Sequence, residues 1–127
     1  MRRFFAVGLM LALGGCAAGE GSTSRYVVFY QQWSAQLDTS AKSVVDGAAA
    51  FAMRHPTQPV IVVGYADPDG SSQANIDISR ARAQVVSDEL VANGVAPARI
   101  QRSARGTTDF TGTSQESRRV EIDVGYQ

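Results

Sequence analysis

The sequence contains very few of the residues that build disulfides, metal centres or nucleophilic sites. Its 127 residues include one cysteine, Cys16, and one histidine, His55. A single cysteine forms no internal disulfide, and one cysteine with one histidine cannot supply the ligands of a zinc site. No serine lies in a recognisable nucleophile motif. We therefore expect a protein that is not an enzyme and that needs no cofactor.

The sequence also lacks an excess of basic residues and a long apolar run. Basic and acidic residues number 12 each, whereas nucleic-acid-binding domains usually carry a basic surface. Arg118 and Arg119 could form a phosphate patch, but neighbouring strand residues point to opposite faces, so we expect a structural pair. The apolar run at residues 4–13 is too short for a membrane span, which needs roughly 20 residues.

That apolar run is typical of a signal peptide. Two arginines precede it, and a leucine and two glycines lead to Cys16. This arrangement resembles a bacterial lipobox, in which the cysteine becomes the lipid-bearing first residue of the mature protein. An ordinary secretory signal is the alternative, but it leaves the single cysteine unexplained. We expect a signal peptide at residues 1–15, palmitate on Cys16 and, because Ala17 rather than aspartate follows, an outer-membrane anchor with the domain in the periplasm.

The rest of the chain predicts a short tether followed by one domain. Residues 16–25 are small, polar and glycine-containing, as in a flexible linker. Residues 26–127 are enough for a single hydrophobic core. With the two leader arginines removed, ten basic residues face twelve acidic ones.

Apolar periodicity and turn residues predict elements in the order β-α-β-α-β-β. The predicted strands cover residues 26–30, 60–63, 100–105 and 120–124, and the predicted helices run from a cap at Thr39 or Ser40 to about His55 and from near Asp77 to Asn93. The second strand is uniformly apolar, which predicts burial on both faces, and the last alternates, which predicts a half-exposed strand. We expect an α+β domain with two helices packed on one face of a small mixed sheet.

Asp67 lies directly after the most apolar strand. With Pro68 and Gly70 it matches the preferences of a type I turn, in which the carboxylate bonds its own backbone. Strand ends of this kind are also where ligands bind in open α/β sheets, and both roles remain open. A calcium loop is excluded, because Ser72 and Ile78 stand where an EF-hand needs glycine and glutamate.

Arg82 lies on the apolar face of the second predicted helix, whereas Arg80 faces water at 3.6 residues per turn. A buried guanidinium without a partner is very costly, so Arg82 requires an anion. That anion is either a ligand or an internal carboxylate, and Asp67 or Glu89 could supply the latter.

A set of residues at characteristic spacings forms one ordered pattern along the chain. They are Gly64, Tyr65, Ala66, Asp67, Gly70, Asn75, Ile78, Ser79, Arg82 and Ala83, followed by the closing residues Ser117, Arg118, Arg119, Val120, Glu121 and Ile122. This pattern resembles the OmpA C-terminal-like family, which includes the peptidoglycan-associated lipoproteins. The resemblance covers roughly residues 27–124.

The resemblance implies a peptidoglycan site. In that family the residues matching Asp67 and Arg82 clamp the diaminopimelate of the stem peptide, the carboxylate on its ammonium and the guanidinium on its carboxylate. Asn75 would shape the loop or bond the peptide, and Asp69 would line the same pocket. The expected protein is an outer-membrane lipoprotein that binds peptidoglycan non-covalently and ties the membrane to the wall.

Several departures from the family pattern keep an alternative open. Ala66 replaces a polar rim residue, residues 31–34 lack the usual Phe-Asp pattern, and Ser117 replaces asparagine. The alternative is an envelope protein-interaction lipoprotein of the same fold, with a degenerate peptidoglycan site, that docks to a Tol-type complex. An open pocket at Asp67 and Arg82 would favour the peptidoglycan site, and a closed pair would favour the alternative.

Overall fold

The structure is a computed structural model that describes residues 23–107 and 114–125. The expected signal peptide, Cys16 and most of the expected tether lie outside these residues. Within the described ranges, no helix has the length and apolar character needed to cross a membrane.

In the described ranges, four strands and two long helices follow the predicted α+β order, with a 3₁₀ turn and a short third helix in addition. They are β1 (Ser24–Phe29), α1 (Thr39–Arg54), β2 (Val60–Ala66), α2 (Ser72–Ala92), a 3₁₀ turn (Pro97–Arg99), β3 (Ile100–Thr107), α3 (Ser114–Ser117) and β4 (Arg119–Val124). The sheet order is β1-β4-β2-β3. β2 and β3 are parallel, whereas β4 is antiparallel to both β1 and β2, so the predicted mixed sheet is confirmed.

Helix α1 begins one residue earlier than a cap at Thr39 or Ser40 allows. Its cap is Asp38, whose carboxylate accepts a hydrogen bond from the Ala41 backbone N–H at 2.7 Å. The predicted cap is therefore wrong, because three adjacent residues could all cap a helix and only the structure shows which does. The helix ends, as predicted, at His55.

Helix α2 begins five residues before the predicted start near Asp77. Ser71 caps it by accepting the N–H of Ala74 at 3.1 Å. The first turn after this cap is mostly polar, so it contributes little to the apolar periodicity on which the prediction depended. The predicted end is confirmed, with Asn93 as the C-terminal cap.

The core lies between the two long helices and one face of the sheet, as predicted. It contains the buried residues Val28, Tyr30, Leu37, Ala41, Val45, Ala48, Ala49, Ala52, Val60, Val62, Ala83, Val86, Leu90, Val95, Val120, Ile122 and Val124. Ile61 and Val63 point to the opposite face of β2 and are only partly buried. Burial of this strand on both faces was therefore the wrong expectation, since the helices α1 and α2 cover one face.

The last strand, β4, is more buried than the predicted half-exposed strand. It lies inside the sheet, between β1 and β2, and its polar side chains carry salt bridges. Asp123 accepts Arg25 Nε at 2.6 Å, and Glu121 accepts Arg119 Nε at 3.1 Å. These arginines cover the carboxylates. The alternation of apolar and polar residues in β4 therefore shows which face of the strand is polar, but it does not show how much of that face is exposed to solvent.

A very close contact between β2 and α2 positions the later part of α2. A Cβ atom placed on Gly64 would lie 2.0 Å from the Ser79 carbonyl oxygen. The Ser79 hydroxyl in turn accepts the backbone N–H of Gly106 on β3 at 3.0 Å. Because α2 lies directly on both strands here, Arg82, one turn further along, lies over the end of β2.

Candidate functional site

Asp67 lies immediately after β2 and is 3% exposed. One carboxylate oxygen accepts the backbone N–H of Asp69 at 3.3 Å, which confirms the predicted local turn role. The other accepts Arg118 Nη1 at 3.1 Å in a buried salt bridge. Arg118 Nε also donates to the carbonyl of Tyr30 at 3.0 Å, which holds this arginine between β1 and the Asp67 loop.

Arg82 is 1% exposed, and its guanidinium is held by backbone carbonyls. Nε donates to Ser34 at 2.8 Å, Nη1 to Tyr65 at 3.2 Å and Nη2 to Gln31 at 3.0 Å. The predicted burial of Arg82 is confirmed, and Arg80 is exposed as expected. Of the two alternatives for its anion, the internal carboxylate is not bonded to Arg82 within the described residues, because three carbonyl oxygens converge on the guanidinium instead.

Tyr30 completes the surroundings of Arg82. Its ring centroid lies 5.1 Å from the guanidinium carbon, and its hydroxyl donates to the Arg82 carbonyl at 3.4 Å. Burial lowers the pKa of Arg82 from its ordinary value, while the interactions with Tyr30 and Asp67 oppose that change. Burial raises the pKa of Tyr30. The cluster therefore combines a permanent cation, a neutral phenol and a carboxylate away from water.

Asn75, in the first turn of α2, is connected to the Asp67 loop through Thr107. Its Nδ2 donates to Thr107 Oγ1 at 2.9 Å, and that hydroxyl donates to the Asp67 carbonyl at 3.4 Å. Asn75 is 1% exposed, and its Oδ1 has no hydrogen-bond partner in the described part of the chain. Buried acceptors without partners are rare, so this atom is a candidate ligand contact.

Asp69 lies exposed at the rim of the same loop. Its backbone N–H contributes to the Asp67 turn, and its side chain is available to solvent rather than lining the buried cluster. Across residues 23–107 and 114–125, no group of three or more His, Cys, Asp or Glu side chains is placed to hold a metal ion.

Asp67 and Arg82 neither line an open pocket nor bond each other. Both are almost fully buried, and each is held by other groups. A cavity of about 560 Å³ lies between α2 and β3, but it is lined by residues such as Gln84, Val91 and Arg102 and not by either member of the pair. The observed arrangement therefore matches neither of the two geometries expected from the sequence.

Arg118 is the residue of this cluster that the sequence prediction left out. The adjacent arginines do have separate structural partners, since Arg119 bonds Glu121 and lies 4.1 Å above the Tyr65 ring. Arg118, however, belongs to the Asp67 site. The available signal was the strand alternation itself, which directs one arginine of the pair toward each face.

Comparison with known proteins gives consistent results. The profile described as the OmpA family matches residues 29–122. The "Probable lipoprotein YiaD" of Escherichia coli (strain K12) is 29% identical over 76% of this chain and 47% of its own length. The "Peptidoglycan-associated lipoprotein" of Rhizobium meliloti (strain 1021) is 28% identical over 76% and 58%, respectively. The chain thus spans about half the length of these curated relatives.

The fold also matches solved structures. The OmpA-like domain of FopA1 from Francisella tularensis subsp. tularensis SCHU S4 aligns with a TM-score of 0.74 at 24% sequence identity. The alignment covers 80% of this chain and 71% of that one. At this level of identity, the match describes the fold alone.

Proposed function

This chain belongs to the OmpA family, and on that premise we propose that it is an envelope lipoprotein that binds peptidoglycan without modifying it. A relative that carries the name peptidoglycan-associated lipoprotein supports this proposal. The observation that carries it is the buried Asp67 carboxylate, set in a polar cluster that still has unused hydrogen-bonding capacity.

The chemistry of the cluster suits one end of diaminopimelate, which carries an ammonium and a carboxylate on the same carbon. Asp67 would accept the ammonium. Asn75, which is connected to the Asp67 carbonyl through Thr107, offers its Oδ1 as a further acceptor, since this atom has no hydrogen-bond partner among the described residues. A guanidinium has five N–H donors, and three hydrogen bonds from Arg82 go to carbonyls. Among the described contacts, one N–H on each of Nη1 and Nη2 is left, which suits a carboxylate bound through both oxygens.

Arg118 adds a second cation to the proposed site. Its Nη1 donates to the Asp67 carboxylate at 3.1 Å. An incoming ammonium would therefore either share this carboxylate with Arg118 or displace the Arg118 side chain from it. A charge-assisted hydrogen bond is worth about 1.5–3 kcal/mol in a site shielded from water. If an ammonium replaces Arg118 at Asp67, the carboxylate stays paired. This costs less free energy than leaving a buried carboxylate without a partner, and it favours a ligand that carries both an ammonium and a carboxylate.

The proposed anchor is the lipid on Cys16. In this proposal, residues 1–15 are removed and the lipid on Cys16 inserts into the outer membrane. The short segment that precedes β1 then connects this anchor to the domain in the periplasm. Because β1 begins at Ser24, the tether is residues 17–23, which reach at most roughly 25 Å when fully extended. The wall must therefore come within a few nanometres of the membrane for both attachments to hold.

Retention on purified sacculi tests the proposed function. We expect Asp67→Asn, which keeps the side-chain shape but removes the charge, to lower the retained fraction by about tenfold. Asp77→Asn is the matched control, because Asp77 is exposed on α2, and it should bind as wild type does. Thermal unfolding of each variant checks that the domain is intact. Equal retention of wild type and Asp67→Asn would contradict the site assignment.

The burial of Asp67 and Arg82 favours one second candidate. A domain of this fold whose site stays closed could serve as a protein-interaction lipoprotein, for instance in a Tol-type envelope complex. In that case, sacculi would retain neither wild type nor the Asp67→Asn variant above background, whereas the peptidoglycan proposal requires clear retention of wild type.

A further inference from the structure

Residues 31–34 wrap around the Arg82 guanidinium. The carbonyls at both ends of this segment, Gln31 and Ser34, accept its hydrogen bonds at 3.0 and 2.8 Å. The Ser34 backbone N–H also donates to the Gln31 carbonyl at 3.2 Å, which closes the segment into a turn. Trp33 lies between the two carbonyls and is the only tryptophan in the chain.

Trp33 combines an unfavourable backbone conformation with an exposed indole. Its φ is +55°, in the left-handed region that residues with a side chain rarely adopt. Its indole is also costly to leave in water, yet the residue is 49% exposed. Local strain of this kind is concentrated at binding sites and switching segments. Trp33 is therefore a candidate for a role in binding.

The Trp33 ring lies against Gly70. A Cβ atom on Gly70 would lie 2.6 Å from Cη2 and 2.9 Å from Cζ2 of the indole, so the ring rests on the glycine backbone. Gly70 ends the loop that begins with Asp67. One contact thus joins the segment that holds Arg82 to the loop that carries Asp67. We call residues 31–34, with this contact to Gly70, the clasp.

We propose that the clasp is a gate over the Asp67/Arg82 site and that Trp33 keeps it shut. Closed, it leaves Arg82 1% and Asp67 3% exposed, so no ligand carboxylate reaches the guanidinium. Opening requires the indole to leave Gly70, after which residues 31–34 release at least one Arg82 N–H to solvent. The occupant that opens it is the amino-carboxylate end of a stem peptide, and this part rests on the proposed function.

A ligand-free measurement tests the gate directly. The Nε–H of Arg82 donates to Ser34 inside the clasp, so its hydrogen exchange, followed by NMR, reports clasp opening. We expect Trp33→Ala to accelerate this exchange on the order of tenfold, because the covering apolar contact is lost. Unchanged exchange in Trp33→Ala would overturn the proposal.

Gly70→Ala provides an independent second variant. Its added methyl must displace the indole, and the φ of +88° at Gly70 also strains the loop backbone of an alanine there. Arg82 exchange should therefore again accelerate, and the Trp33 indole should become more accessible to acrylamide. Met53→Ala is the control, since Met53 is 52% exposed on α1 and should leave Arg82 exchange unchanged.

Binding of free diaminopimelate separates the gate from the proposed function. If both hold, Trp33→Ala binds diaminopimelate several-fold more tightly than wild type, because less of the binding free energy goes into opening. Weaker binding by Trp33→Ala would show the indole to be a ligand contact and would overturn the gate. Faster Arg82 exchange in Trp33→Ala without binding by either protein would reject the ligand and retain the gate.

Discussion

At the scale of single residues, Arg82 is the largest fully buried side chain in the described part of the chain, and three backbone carbonyls hold its guanidinium. The helical period places this arginine on the buried face, where the structure shows it. The internal carboxylate that the sequence left open as one possible partner is not bonded to Arg82, because three carbonyls from residues distant in the sequence converge on the guanidinium. Sequence spacing on one helix contains no information about which loop backbones will meet there. Arg118 was missed as the partner of Asp67 because strand alternation indicates that two adjacent arginines face opposite ways without showing which residue each one contacts.

Tyr30 provides a residue-scale prediction about alkaline stability. Burial raises the pKa of its hydroxyl above the ordinary value of 10.0, so the folded protein keeps a proton that the unfolded chain loses. The resulting stabilisation is complete below pH 10 and is lost as the pH rises from there toward the folded-state pKa. Between pH 8 and 11, wild type should lose about 1.4 kcal/mol more unfolding free energy than Tyr30→Phe.

Urea unfolding at the two pH values measures this difference. Any contribution from Tyr65, whose pKa burial also raises, is present in both proteins and cancels. An equal loss of stability in wild type and Tyr30→Phe would show that the Tyr30 hydroxyl ionises as readily in the folded protein as in the unfolded chain.

At the scale of elements, the order and type of the helices and strands were predictable and some of their boundaries were not. Regular apolar spacing covers the interiors of α1 and β4. The first turn of α2 is mostly polar, so only its cap, Ser71, could have indicated the true start. Burial of the outer sheet face could not be predicted either, because Asp123 is covered by Arg25 on the neighbouring strand β1, which is distant in the sequence.

Gly64 provides an element-scale prediction about helix packing. Because its Cβ position lies 2.0 Å from a backbone oxygen of α2, Gly64→Ala must push α2 away from β2. We expect a loss of about 3 kcal/mol of unfolding free energy, at the upper end of overpacking effects. Chemical denaturation measures it.

Gly47→Ala is the matched control for this prediction. Gly47 lies inside α1, and a Cβ atom there would meet only Tyr26 at an ordinary 3.6 Å. Alanine should therefore stabilise the protein by about 0.5–1 kcal/mol through helix propensity. Similar effects of the two substitutions would show that the α2–β2 contact is not the tight one described.

At the scale of the whole molecule, we propose two attachments. One is the lipid on Cys16 in the membrane, and the other is the binding of peptidoglycan by the domain. The family and the fold follow from a pattern spread across residues 29–122, which is why the sequence could predict both. The closed state of the site could not be predicted, because it depends on Trp33 and residues 31–34, where the chain departs from the family pattern. The same segment that weakens the resemblance is the one that covers the site.

Calorimetric titration of the purified protein with diaminopimelate tests the proposal that the Asp67/Arg82 cluster is the peptidoglycan site. We expect saturable binding at one site per chain, with an affinity about tenfold or more lower in Asp67→Asn and unchanged in Asp77→Asn. Saturable binding of equal affinity in wild type and Asp67→Asn would contradict it, as would wild-type protein that is retained on sacculi yet shows no binding of diaminopimelate.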